Sequence, residues 1–237
     1  MIKLLNVTKR YSNGVEALKN VSLTIEQGEF VYLVGQSGAG KSTLVKLLYR
    51  QLVPTEGFIT INNFDLRLMR ERQVPKLRRT LGVVFQDFKL LPKMTVSENI
   101  GYALQVIGKS DEEIKTAVTQ VLAEVGLSDQ ADHFPDELSG GQQLRVAIAR
   151  AIINDPKTLI ADEPTGNLDP QTSNDIMAIL ERINARGTTV IMATHNQQIV
   201  DELPHRLVEV ANGTIIRDEQ GGQYTHELDN DSQPSTR

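Results

Sequence analysis

Apolar residues along this chain fall into two kinds of run. "FVYLV" (30–34), "LGVVF" (81–85), "TLIAD" (158–162) and "TTVIMATH" (188–195) are nearly unbroken apolar blocks of strand length, as buried parallel strands require. "IKLLNV" and "NVSLTI" near the start, and "GFITIN" at 57–62, read as further short strands. The first two are separated by "YSNGVEAL", which carries an Asn-Gly turn signal. The second kind of run has helical spacing. "TLVKLLYRQL" follows the first buried block after a glycine-rich stretch. Ile114, Ala117, Val118, Val121, Leu122 and Val125 share one stripe at a 3.6-residue period, the mark of a core-facing helix. "LDPQT" opens another helix between the last two blocks: Asp169 can cap it, and Pro170 takes the first helical position, where its missing N–H costs nothing.

Strand–helix alternation around a mostly helical stretch predicts an α/β fold. Its expected parts are a parallel-sheet core, an N-terminal antiparallel β subdomain and a helical subdomain at about 87–155. One domain is expected over 1–217. "DEQGGQYTHELDNDSQPSTR" (218–237) is polar, acidic and nearly free of large apolar side chains, and is expected to be a flexible tail.

The stretch between "FVYLV" and the next helix is "GQSGAGKST". Gly35, Gly40, Lys41 and Ser42 fit G-x-x-x-x-G-K-[ST], with a strand before and a helix after, the context of a P-loop. Glycines let the backbone approach phosphates and turn successive N–H groups inward as an anion nest, and the helix start adds its positive end. Lys41 would reach the β- and γ-phosphates and the Ser42 hydroxyl would ligate Mg²⁺. A P-loop predicts an acidic residue at the end of a neighbouring buried strand, and "TLIADEP" supplies Asp162, expected to hold Mg²⁺ through water. Glu163, one residue on, can polarise the attacking water. Gln86 and His195 also stand where apolar blocks end. The amide of Gln86 can ligate Mg²⁺ or orient the water, and His195 can donate to the γ-phosphate. Tyr11 could stack on adenine or be an ordinary strand-edge tyrosine.

A second glycine-serine stretch, "LSGGQ" (138–142), precedes "QLRVAIARAI", where Leu144, Ala147, Ile148 and Ala151 have helical spacing. Ser139, Gly140 and Gly141 therefore sit at another helix N-terminus. Ser139 could serve only as the cap of its own helix. One nucleotide is already served by the first loop, so the alternative is a head-to-tail pair. Each copy's "LSGGQ" would then close over the γ-phosphate held by its neighbour, and a two-fold axis would give two composite sites.

Composition removes several classes. The 237 residues carry a formal net charge of −5, which argues against nucleic-acid binding driven by a basic footprint. Cysteine is absent, so disulfides and thiolate metal sites are excluded. No run of about 18 apolar residues occurs, and "MIKLLNVTKRYSNG" turns polar too soon for a secretory signal. A cytoplasmic protein is the expectation.

"GQSGAGKST", "LSGGQ", "LIADEP", "NLD" and "ATH" resemble, in order, the Walker A, signature, Walker B, D-loop and H-loop segments of ABC-type ATPases, over residues 1 to about 217. Gln86 matches the Q-loop and Tyr11 the adenine-stacking A-loop. The resemblance implies an ATP- and Mg²⁺-dependent ATPase working as a sandwich homodimer. It places ATP on Gly35, Gln36, Ser37, Gly38, Ala39, Gly40, Lys41, Ser42 and Thr43, and on the neighbour's Leu138, Ser139, Gly140, Gly141 and Gln142. It also implies that Asp169 crosses the dimer interface. Leu144 departs from the pattern, standing where glutamine is common, with an effect expected on helix packing.

Within the family, "VVFQDFKLLPKMTVSENI", "ADEPTGNLD" and "IIRDEQGGQY" resemble the cell-division branch, the FtsE type of Gram-positive bacteria. That implies an integral membrane FtsX-like subunit as partner, control of peptidoglycan hydrolases, and a peripheral position on the inner face of the plasma membrane. Phe88, Leu90 and Leu91 could form an apolar patch docking that partner, or simply pack under the helical insert. The alternatives are a lipoprotein-release or macrolide-type exporter, with the same chemistry and a different partner, a soluble ABC ATPase acting on DNA or ribosomes, and a small-molecule P-loop kinase, which would leave "LSGGQ" without a role.

Overall fold

The computed structural model describes residues 1–166 and 168–224. In chain order come β1 (Ile2–Arg10), β2 (Glu16–Ile25), β3 (Phe30–Val34), α1 (Lys41–Leu48), β4 (Glu56–Ile61), β5 (Phe64–Asp65), α2 (Val74–Arg78) and β6 (Leu81–Val84). Then follow α3 (Val96–Gln105), α4 (Asp111–Val125), α5 (Gly140–Ile152), β7 (Thr158–Asp162), α6 (Pro170–Ala185), β8 (Thr189–Ala193), α7 (Gln197–Glu202), β9 (Arg206–Ala211) and β10 (Thr214–Glu219).

Two sheets result. The smaller is antiparallel, in the order β2-β1-β4-β5. The larger runs β10-β9-β3-β8-β7-β6, with β9, β3, β8, β7 and β6 parallel and β10 antiparallel at one edge. Alternation explains why the parallel strands read as unbroken apolar runs. In β3, Val31 and Leu33 enter a core shared with α1 and the small sheet, while Phe30, Tyr32 and Val34 enter a second core built with α3–α6. A strand buried on both faces has no place for an exposed side chain. Leu144, on α5, is fully buried in that second core.

The helical elements α3, α4 and α5 fall inside 87–155, as expected. Val118, Val121, Leu122 and Val125 are the buried stripe of α4, and Ile114 and Ala117 pack against its edge. α4 starts with a reciprocal cap between Ser110 and Glu113 and stops at the left-handed Gly126. α6 begins as its sequence indicates, with Asp169 accepting from Thr172 N–H at 2.9 Å and Pro170 in first place.

The C-terminal segment departs from expectation. The boundary at 217 falls inside β10, whose Asp218 carboxylate accepts from Arg206 Nε at 2.7 Å and from Nη2 at 2.8 Å. Tyr224 packs against the second core. Polar residues are held here by ion pairs and backbone pairing, which a search for apolar runs does not register. Residues 225–237 of the expected tail lie outside the described residues.

Candidate nucleotide site

The loop "GQSGAGKST" leaves β3 and enters α1, as its pattern requires. Its shape depends on two glycines. Gly35 has φ 140°, and a Cβ there would lie 2.1 Å from the carbonyl oxygen of Val210. Gly40 has φ 118°, and its Cβ would stand 2.6 Å from Ala17 O. The loop is thereby pressed against β9 on one side and β2 on the other. Every residue from Gly35 to Thr43 except the buried Ala39 lines a cavity of about 480 Å³, and Gln86, Glu163 and His195 share its wall. Lys41 folds back over its own loop, donating to Gly35 O at 2.6 Å and Gln36 O at 3.2 Å.

β7 and β8 deliver the acidic end. Asp162 closes β7, and burial first, then the Glu163 charge, push its carboxyl above the ordinary value, with Lys46 and Lys41 opposing. Its Oδ1 is buried with no hydrogen-bond partner among the described residues. Such an oxygen is costly unless something bonds to it. A hydrated cation meets that need, and the Ser42 and Gln86 side chains on the adjoining cavity wall are the neutral oxygen ligands Mg²⁺ accepts. The donor set therefore fits Mg²⁺.

Glu163 has φ 50°, left-handed backbone that a glutamate adopts only under constraint. Its N–H donates to Ala193 O at 2.9 Å, holding the turn against the end of β8. The carboxylate is thereby placed with Oε2 at 2.6 Å from His195 Nδ1 and Oε1 at 4.0 Å from Lys41 Nζ. A carboxylate, an imidazole and an ammonium thus meet at one end of the phosphate cavity. The Tyr11 hydroxyl is 3.1 Å from Thr43 Oγ1, and Lys9 Nζ stands 5.7 Å from the Tyr11 ring centroid.

"LSGGQ" is not brought to this cavity. Ser139, Gly141 and Gln142 line a separate pocket with Arg145 and Thr172. Ser139 caps α5, accepting from Gln142 N–H at 3.3 Å, while Gln142 Oε1 accepts from Ser139 N–H at 2.9 Å. Leu138 is buried and Gly140 exposed. Gly141 faces Thr172 on the first turn of α6, so the tip of α5 lies against the helix that Asp169 caps.

Three residues in this region are absent from the sequence reading. Asn99 is fully buried on α3 and clasps the loop after Gln86: Oδ1 accepts from Leu91 N–H at 2.7 Å, and Nδ2 donates to Leu91 O, Met94 O and Thr95 O. A polar residue between Val96 and Ile100 on an apolar stripe was a legible sign of it. Arg150 on α5 donates to Phe88 O at 2.7 Å and Lys89 O at 2.8 Å. Tyr224 lies on the cavity wall. Neither of the last two carries a sequence signal. Phe88, Leu90 and Leu91 are half-buried, and the first two pack against the helical core.

A parallel sheet with a glycine loop between β3 and α1, and acidic groups at the ends of adjacent strands, defines a P-loop nucleoside triphosphatase. The chain matches the ABC transporter family over residues 18–166 and belongs to it, an ATP-binding and ATP-hydrolysing cassette. It is 56% identical over 224 residues to the cell division ATP-binding protein FtsE of Bacillus subtilis, covering 94% of this chain and 98% of that one. With the FtsE of Streptococcus pneumoniae the identity is 54% over 227 residues, covering 96% and 99%. A solved post-hydrolysis dimer of an ATP-binding cassette bound to ADP and Pi superposes with a TM-score of 0.86 at 39% identity, covering 94% of this chain and all of that one.

Proposed function

We propose that this chain is the ATPase subunit of an FtsE–FtsX-like complex, and that two copies close head to tail around two ATP molecules. Lys41 and the Gly35–Thr43 backbone hold the phosphates. Ser42, Gln86 and, through water, Asp162 hold Mg²⁺, which when bound neutralises charge on the phosphates. Glu163 polarises the attacking water, and His195 donates to the γ-phosphate from its place beside Glu163. Ser139, Gly140 and Gly141 of one copy complete the pocket of the other, with Leu138 and Gln142 fixing the tip and Asp169 at the interface.

One observation carries this reading. Glu163 and His195 meet Lys41 at one end of the P-loop cavity, yet the "LSGGQ" tip opens into a pocket of its own. A tip left without a phosphate in its own chain suits a phosphate in another. The solved cassette is itself a dimer bound to ADP and Pi, which favours a paired form.

Among the described residues no helix is long and apolar enough to cross a membrane. Motion of the pair would be passed to an integral membrane subunit from the cytoplasmic face. The cell-division names of the relatives favour an FtsX-like partner and control of peptidoglycan hydrolysis over an exporter role. The net charge of −5 favours no nucleic-acid partner. The test is Glu163→Gln with saturating Mg-ATP, read by light scattering and phosphate release. Dimers with slowed turnover are expected, and a variant that binds ATP but stays monomeric would sink the closed pair.

A further inference from the structure

Besides the small Ala17, the cavity wall has one member that the P-loop scheme does not use. Tyr224 follows β10 by five residues and returns to the P-loop, where its ring is half-buried beside Gly35, Glu163 and His195. The segment is tied on the way. Arg217 Nη1 donates to Gln223 O at 2.7 Å, and the Tyr224 N–H donates to the Asp201 carboxylate on α7. A Cβ on Gly222 would stand 3.1 Å from Leu207 Cβ, so the backbone here runs close against β9. A backbone held at two successive residues aims its next side chain, and this one enters the cavity.

Its position along the cavity matters. Gly35, Glu163, His195 and Tyr224 share the wall with Lys41, which reaches Glu163 Oε1 and covers Gly35 O. On the roles proposed above, which this inference assumes, that group of residues receives the γ-phosphate. Burial, with Glu209 and Glu163 adding to it, raises the Tyr224 phenol above its ordinary value against a hydrogen bond from the Gly35 backbone. The phenol therefore stays neutral beside the first residue of the P-loop.

We propose that Tyr224 discriminates between nucleotides: its phenol occupies the triphosphate end of the cavity, so a nucleoside triphosphate must displace it whereas a diphosphate does not. A ligand that binds only the displaced state has its apparent affinity reduced by that state's population. The penalty falls on ATP and spares ADP, so occupancy would favour the triphosphate less than the P-loop alone allows.

The experiment titrates the full chain, in the presence of Mg²⁺, with AMP-PNP and separately with ADP. For Tyr224→Ala, the Kd for AMP-PNP is expected to fall about 3- to 10-fold, with ADP changed less than about twofold. Asp201→Ala, which unties the backbone from outside the cavity, should shift the AMP-PNP to ADP ratio the same way. Equal tightening of both nucleotides, weaker AMP-PNP binding, or an unchanged ratio in both variants overturns the proposal. A wild-type chain that binds neither nucleotide would instead overturn the site on which it rests.

Discussion

Glu163 Oε2 and His195 Nδ1 are 2.6 Å apart, although the two residues come from different strands and are separated by 32 positions. The pair exists because β7 and β8 are adjacent and parallel, with Asp162 in register with Ala193. Glu163 lies one residue past that register and His195 two, and the two side chains converge. The left-handed backbone of Glu163 is held by its N–H to Ala193 O, so the carboxylate is aimed before any nucleotide arrives. Preorganised polar groups avoid reorganisation during the reaction.

On the roles proposed for them, the shared hydrogen bond couples the two side chains, so their losses should not add. His195→Ala and Glu163→Ala are each expected to lower turnover about 10²- to 10⁴-fold. The double variant should fall little below the worse of the two. Steady-state phosphate release from the four proteins checks this, and multiplicative losses would mean the residues act independently.

The loop after Gln86 is strained and clamped from the signature helix. Phe88 and Lys89 have φ 56° and 51°, and their carbonyls are the acceptors of Arg150. Arg150→Ala removes two charge-assisted hydrogen bonds, with an expected stability loss of about 2 kcal/mol. Arg150→Lys should recover little of it, because an ammonium lacks the planar fork that spans two carbonyls. Denaturant titration gives the stability, and limited proteolysis should find new cleavage between 87 and 94.

Asp169 gives a pH-dependent prediction with a definite sign. Hydrogen bonds from Thr172 hold its exposed carboxyl below the ordinary value of 3.8. A depressed folded-state value adds stability above the ordinary value, and that contribution is lost as pH falls through the folded one. Asp169→Ala should therefore have the lower Tm at neutral pH, and its deficit should narrow as pH drops below about 4. Asp169→Asn keeps a neutral cap and should show a smaller, pH-independent change. Thermal scans across that range test both.

Legibility in the sequence followed the kind of signal each part carries. β3, β7 and β8 were readable because burial on both faces leaves a run of apolar residues, and the P-loop because glycine is needed where backbones touch. β9 and β10 went unread even though Asn212-Gly213 joins them, with φ 50° and 82°, in the left-handed turn a hairpin favours. The following "TIIRDE" is half-exposed and charged, so no apolar alternation led the eye to that turn. Glu163 and His195 were legible as candidates because they follow apolar blocks, and Lys41 because it stands in the P-loop pattern. Asn99, Arg150 and Tyr224 act through contacts between segments far apart in sequence, which no local pattern encodes.

Gly141 separates the packing role of the signature helix from its chemical one. A Cβ on Gly141 would lie 2.5 Å from Thr172 Cγ2, and Thr172 is held by its N–H to the Asp169 cap. Being β-branched, Thr172 has little freedom to turn aside. Gly141→Ala should destabilise the fold by about 1–3 kcal/mol, the usual result of overpacking. Removing the obstructing methyl with Thr172→Ser in the same chain should recover most of that loss, a coupling that a double-mutant cycle reads directly. Turnover should not return with it, because the added methyl still stands on the helix tip offered to the other copy's phosphate. If activity recovers in step with stability, Gly141 is a packing residue and the tip has no part in closing over ATP.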